Sequence, residues 1–285
     1  MQAPAAQNPA APRWLDNLGD WLFRNIVAVA GWFVLITLAL AAFSMYWGGR
    51  EAFSEFGWGF LVSTEWDPVR EQYGALVAIY GTLVTTAIAM IIAVPVSFGI
   101  ALFLTEVAPA WIRQPLGSAI ELLAGIPSII YGMWGLFVLA PLLGNYVYPW
   151  VDEHMGPWPV LGVLFRGPPL GIGMLTAGIV LAIMVIPFIS SVMREVFLGS
   201  TTTEVVWDIV LPYTRSAVIG GIFLGMGRAL GETMAVTFVL GNAHRISASL
   251  LEPGNSIAAS VANEFAEATT PMYQSALLAL GFLLF

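Results

Sequence analysis

Four stretches of this chain run on without a single Asp, Glu, Lys or Arg: Asn25–Gly49, Gln72–Thr105, Leu122–Val151 and Gly167–Met193. A helix rises about 1.5 Å per residue, so roughly 20 apolar residues cross a bilayer, and each stretch exceeds that. The chain has 285 residues, of which 58% are hydrophobic and only 10% charged, with a mean hydropathy of +0.82. A water-soluble domain of this length needs far more polar surface. In hydrocarbon, each span has to satisfy its own backbone hydrogen bonds, and uninterrupted apolar runs of this length do so as helices. The expected class is therefore all-α integral membrane.

The expected spans are about 26–47, 76–104, 120–143 and 172–193. A fifth, 216–241, is apolar apart from Arg228 and Glu232, and a sixth begins near Ser275. The 11 residues of 275–285 are too few to cross a bilayer, so the sequence is expected to stop inside its last helix. Residues 1–25 open with Ala, Pro and Gln and lack a basic segment leading into a short apolar core; they are expected to be a disordered leader, not a signal peptide. Residues 26–285 then form one transmembrane domain. The connectors at 48–73, 144–166 and 242–274 carry ten acidic residues against four arginines; Arg13, Arg24, Arg113, Arg194 and Arg215 lie at the other helix ends. That asymmetry places the N-terminus and the second and fourth connectors in the cytoplasm, with the long acidic loops outside.

Composition also removes several kinds of chemistry. All ten basic residues are arginine, so no P-loop lysine and no Schiff base can form, and any ATP hydrolysis must occur in another subunit. There is no cysteine. A net charge of −8 argues against nucleic acid as a partner. With two histidines, His154 and His244, no metal site is expected, and both read as solvated loop residues. Pro95, Pro127, Pro141 and Pro187, with Gly99, Gly125, Gly132 and Gly135, interrupt the apolar windows, either as kinks and packing points or as the frame of a pathway. In the fifth span, Gly221/Gly225 and Gly227/Gly231 are small-xxx-small pairs that let another helix approach.

Arg228 and Glu232 are four residues apart, which on a continuous helix leaves them about 40° apart in azimuth, on one face. A lone charge at the bilayer centre costs at least about 2.5–3.5 kcal/mol. Two readings follow. The pair neutralise each other, or the guanidinium, which never deprotonates and matches an oxyanion with two parallel hydrogen bonds, is the counter-charge of an anion path. Thr233 and Thr237 add hydroxyls near this face.

The segments Tyr73–Glu106, Ile120–Phe137, Trp66–Pro68, Gly227–Asn242 (GRALGETMAVTFVLGN) and Pro253–Ala268 (PGNSIAASVANEFAEA) closely resemble PstC-type permease subunits of phosphate ABC importers. The resemblance implies a six-helix ABC importer permease bundle in the bacterial cytoplasmic (inner) membrane, working by alternating access. It also implies a second, PstA-like permease subunit, two PstB-like subunits that bind ATP-Mg, and an extracytoplasmic PstS-like phosphate-binding protein. Importer permeases of this kind carry a cytoplasmic coupling loop ending in Gly, nine residues, Ile, one residue, Leu-Pro. Gly199, Ile209, Leu211 and Pro212 match that ending. The Glu-Ala-Ala half has no counterpart: the chain reads Met193, Arg194, Glu195, and residues are expected to be missing between Phe197 and Gly199. A permease for another oxyanion such as sulfate or molybdate, and a stand-alone channel or secondary transporter using Arg228 and Glu232 as a relay, are the competing functions. A membrane enzyme finds no nucleophile–base or metal constellation here.

Overall fold

The structure, a computed structural model, describes residues 13–198 and 211–285. It divides into two compact units, 1–47 and 48–285. In the first, helix α1 (Arg13–Phe56) begins at Arg13. Half of the segment expected to be a disordered leader is therefore helical. Trp14, Leu15, Leu18 and Leu22 recur at helical spacing there, and nothing after Pro12 breaks the turn. Residues 1–12 lie outside the described residues. Three polar side chains of this part of α1 fold back on their own helix: Asn25 Nδ2 donates to Trp21 O (2.7 Å), Thr37 Oγ1 to Phe33 O (2.8 Å) and Ser44 Oγ to Ala41 O (3.0 Å). Between Asn25 and Ser44 the outward surface is otherwise apolar, with Trp32 and Phe33 exposed, as suits a helix bathed in acyl chains, while the charged Asp20 and Arg24 are exposed before it.

The second unit continues from the end of α1 through α2 (Gly59–Val62) and a two-stranded antiparallel hairpin, β1 (Trp66–Asp67) and β2 (Gln72–Tyr73), in which Trp66 faces Tyr73. Next come α3 (Leu76–Leu102), drawn out by a π turn at Phe103–Val107, and α4 (Ala110–Ala124). Helices α5 (Ser128–Trp134), α6 (Ala140–Leu142) and α7 (Tyr148–Met155) are joined by π turns at Gly135–Leu139 and Leu143–Val147, so that 128–155 is one long apolar helix. The chain then passes through α8 (Met174–Leu198), α9 (Leu211–Leu230), α10 (Met234–Leu240), α11 (Ile257–Glu264) and α12 (Pro271–Leu284).

Helix α8 is the centre. Its apolar span is 61% buried against 28% for α3, and α3, α4, α9 and α10 all pack on it. The α3–α8 seam is built from small residues. Ala89, Ala93, Ala177 and Ala182 are fully buried, and a Cβ on Gly178 would lie 2.5 Å from Ile88 Cγ2. In a bilayer, close backbone approach of this kind supplies what hydrophobic expulsion cannot. The third span differs from its expected 120–143. Pro127 and Gly125 end α4 before it, and the span starts at Ser128 and runs to Met155. Asp152 and Glu153 are exposed in its last turn and do not stop the helix. Pro141, which has no N–H to offer the ladder, sits between the two π turns that absorb it.

The three long connectors share one end of this unit. Leu175 N donates to Leu250 O (2.8 Å), Leu250 N to Leu164 O (2.9 Å) and Tyr80 OH to Ser247 O (2.8 Å). Helix α11 is seated against α3 where Ile257 N donates to Thr82 Oγ1 (3.0 Å). Gly81 makes that seat possible, since a Cβ there would overlap the carbonyl of Asn255. Gly81→Ala is expected to destabilise the purified protein by about 1–3 kcal/mol through overpacking. Gly99→Ala, where a Cβ meets nothing within 4 Å, is expected to leave the melting temperature unchanged or raise it. Thermal unfolding of the two variants side by side checks this.

Candidate functional site

The fifth span is broken. Helices α9 and α10 meet at 59°, and Arg228 and Glu232 fall on either side of the point where helical bonding stops. Gly231 N makes the last regular bond, to Gly227 O (3.1 Å), and Glu232 N reaches only Ala229 O at 3.4 Å. Two glycines at the end of α9 lower the price of leaving the helix there. Glu232 then turns forward: its Oε1 accepts from Ala235 N at 3.2 Å, taking up one of the unpaired N–H groups that open α10. The shared face expected for Arg228 and Glu232 is lost with the helix, and no ion pair between them occurs among the described residues.

Arg228 is exposed on this chain, its guanidinium carbon 5.9 Å from the centroid of the Phe188 ring on α8. That distance is at the outer limit of a cation–π contact. Thr233 and Thr237 are half-buried on the same stretch. Thr237 Oγ1 donates to Thr233 O (2.8 Å), so its proton is committed; Thr233 Oγ1 makes only a 3.4 Å contact to Gly231 O. Beyond the break, α10 is clamped. A Cβ on Gly132 would lie 2.9 Å from Ala235 Cα, and one on Gly135 would lie 2.9 Å from Val239 Cγ1. Two of the glycines noted as helix interrupters are thus points of close contact beneath the break.

A second constellation lies among the long connectors, and the sequence reading missed it. Glu264, at the end of α11, accepts hydrogen bonds from Trp66 Nε1 (2.7 Å), Tyr273 OH (2.6 Å) and His244 Nε2 (2.8 Å). The His244 ring stacks on Trp66 with centroids 5.4 Å apart and planes 3° apart, and Asn255 Nδ2 lies 2.9 Å from its Nε2. His244 is therefore no solvated loop residue, whereas His154 is exposed and stacks only on Trp150 of its own helix. Burial by itself would raise the Glu264 carboxyl, but the bonds from His244, Tyr273 and Trp66 outweigh it and hold the group below the usual glutamate value. A signal was present in the sequence. Trp66, Asn255 and Glu264 all sit in segments whose wording stood out, yet nothing in their spacing showed that they meet.

No family model matches the chain. A phosphate transport system permease protein PstC of Xylella fastidiosa (strain 9a5c) is 64% identical to it, over 95% of this chain and 87% of that protein. One from Pasteurella multocida is 54% identical over 93% and 87%, and a probable one from Methanocaldococcus jannaschii is 35% identical over the same shares. The chain belongs to the PstC family of phosphate transport system permease proteins. It is accordingly an integral membrane permease, consistent with the four long apolar helices and the bent fifth pair among its described residues.

Of the coupling-loop positions that the family resemblance brought in, Gly199 and Ile209 lie outside the described residues. Leu211 and Pro212 open α9, in a first turn where proline fits because its N–H would be unpaired anyway.

The acid response of the Glu264 cluster follows from its lowered carboxyl. A group with a depressed folded pKa stabilises the fold above its unfolded value, about 4.3 for glutamate, and loses that contribution as pH falls through the folded value. Glu264→Gln is expected to lower stability by about 1–3 kcal/mol at pH 7. The gap in melting temperature between wild type and variant should close as the pH is lowered to about 4 and below. A gap of constant size across that range would show that the charge of Glu264 contributes nothing.

Proposed function

We propose that this chain is the transmembrane permease subunit of an ATP-driven phosphate importer in the cytoplasmic membrane, forming half of a pathway worked by alternating access. Kinship at 50–64% identity along some 95% of the chain with phosphate transport permeases carries the reading. The same kinship disfavours sulfate or molybdate as the cargo. ATP hydrolysis belongs to partner subunits, in keeping with a chain that has no lysine to build a P-loop. A PstA-like permease, two PstB-like ATPases holding ATP-Mg, and a PstS-like binding protein complete the assembly in this reading, and this chain itself is a non-catalytic subunit.

The broken span supports a transport role for Arg228. Irregular backbone at membrane depth is tolerated where protein surrounds it or where it borders a cavity, and discontinuous helices are recurrent lining elements of transporters. With Glu232 turned away to cap α10, the guanidinium keeps its charge and most of its five donors for an oxyanion. Thr233 is able to redirect its weakly held hydroxyl to a passing phosphate, and Thr237 borders the path with only lone pairs to offer. The Phe188 ring gives the cation a resting contact between transport events. In the coupling loop, Gly199, Ile209, Leu211 and Pro212 would meet the ATPase.

Phosphate uptake by cells that lack their own permease, supplied with this chain and its partners, tests the proposal. Arg228→Gln is expected to cut uptake at least about tenfold, the loss of one charge-assisted contact, while the assembly still co-purifies. Glu232→Gln is expected to lower thermal stability more than uptake. Undiminished uptake by Arg228→Gln would remove that residue from the path, and uptake without ATP would remove the importer reading altogether.

A further inference from the structure

At the end of the second unit opposite the long connectors, two recesses adjoin between α3, α4 and α8. The first, about 430 Å³, is apolar and lined by Val96, Gly99 and Ile100 of α3, Leu104 of the π turn, and Leu116 and Ile120 of α4. The second, about 320 Å³, is lined by Leu104, Ala110, Arg113, Gln114 and Arg194. Leu104 belongs to both, so an apolar trough opens directly beside a pocket bearing two guanidinium groups. Among the described residues no carboxylate is a lining residue of either recess, though Glu121 lies against Arg194.

Both arginines are set in place. Arg194 reaches from α8 across Gly117 of α4, where a Cβ would strike its guanidinium, and its Nη2 meets Glu121 Oε1 at 3.2 Å. Arg113 Nη2 donates to Ala108 O at 3.3 Å. Each of these contacts uses one nitrogen, and a guanidinium has five N–H donors. The trough owes its depth to Gly99: a Cβ there meets nothing within 4 Å, so the missing side chain is open space.

We propose that these recesses bind one anionic phospholipid, its headgroup phosphate held by Arg113 and Arg194 and one acyl chain lying along Gly99, Leu116 and Ile120. The arginine distribution assigns this end to the cytoplasm, and basic pockets between spans on that side favour anionic headgroups. Charge alone would also suit inorganic phosphate. The continuous apolar trough is what selects a lipid, because a free anion gains nothing from it. The site stands apart from Arg228 and does not depend on phosphate being the cargo.

The assembled transporter, purified and placed in nanodiscs of phosphatidylglycerol and phosphatidylcholine with matched chains, is suited to native mass spectrometry of retained lipid. Wild type is expected to keep phosphatidylglycerol over phosphatidylcholine on the order of tenfold. The double variant Arg113→Gln, Arg194→Gln is expected to bring the two lipids to parity with the partner subunits still bound. Gly99→Leu, which fills the trough without touching charge, should reduce retention of both lipids, and Glu121→Gln, which frees Arg194, should raise the preference. Added inorganic phosphate should not displace the lipid. Equal retention by wild type, a preference that survives the double arginine variant, displacement by inorganic phosphate, or a partner helix cross-linked over Leu116 in place of lipid would each overturn the proposal.

Discussion

A polar backbone group in hydrocarbon has no water to turn to, and this constraint governs the fifth span. Stopping a helix at Gly231 and restarting it at Met234 strands carbonyls on one side and amides on the other. The chain answers locally, with Glu232 accepting from Ala235 N, and tertiarily, with α5 pressed against α10 through Gly132 and Gly135. A charged residue is thus used as a cap where caps are usually neutral or water-exposed. Its partner in sequence, Arg228, is left exposed, its resolved contact being the Phe188 ring. The break and the unneutralised arginine are one feature seen from two sides.

Small residues do the rest. The α3–α8 seam rests on alanines and Gly178, the α3–α11 seat on Gly81, the α5–α10 clamp on Gly132 and Gly135, and the crossing of α4 by Arg194 on Gly117. Lipid offers little hydrophobic gain for bringing helices together, so shape complementarity at short range has to supply the attraction. The same economy explains Gly99, which has no neighbour and leaves a trough where the others leave a contact.

Much of this was legible beforehand. Charge-free windows place α3 and α8 within a few residues, because hydrophobic length is fixed by the bilayer and needs no tertiary knowledge, whereas α1 runs past both ends of its expected 26–47. The third span starts eight residues later than expected and ends twelve later, since Pro127 was read as an interior kink, whereas it begins the helix. The reading of Arg228 and Glu232 as one helical face failed for a related reason. Periodicity assumes the helix continues, and two nearby glycines with a capping carboxylate ended it. The Glu264 cluster was invisible because its members are brought together by packing and not by spacing: a tryptophan in a hairpin, a histidine in a loop and a tyrosine opening α12 share no local pattern.

The hydrogen bond from Trp66 to Glu264 joins residues 198 positions apart. A ribosome delivers the hairpin long before its acceptor exists. Until then Trp66 lacks its carboxylate acceptor, and the Glu264 cluster closes only when α11 and the start of α12 have emerged. Closure of this cluster is in that sense timed by the C-terminal third of the chain.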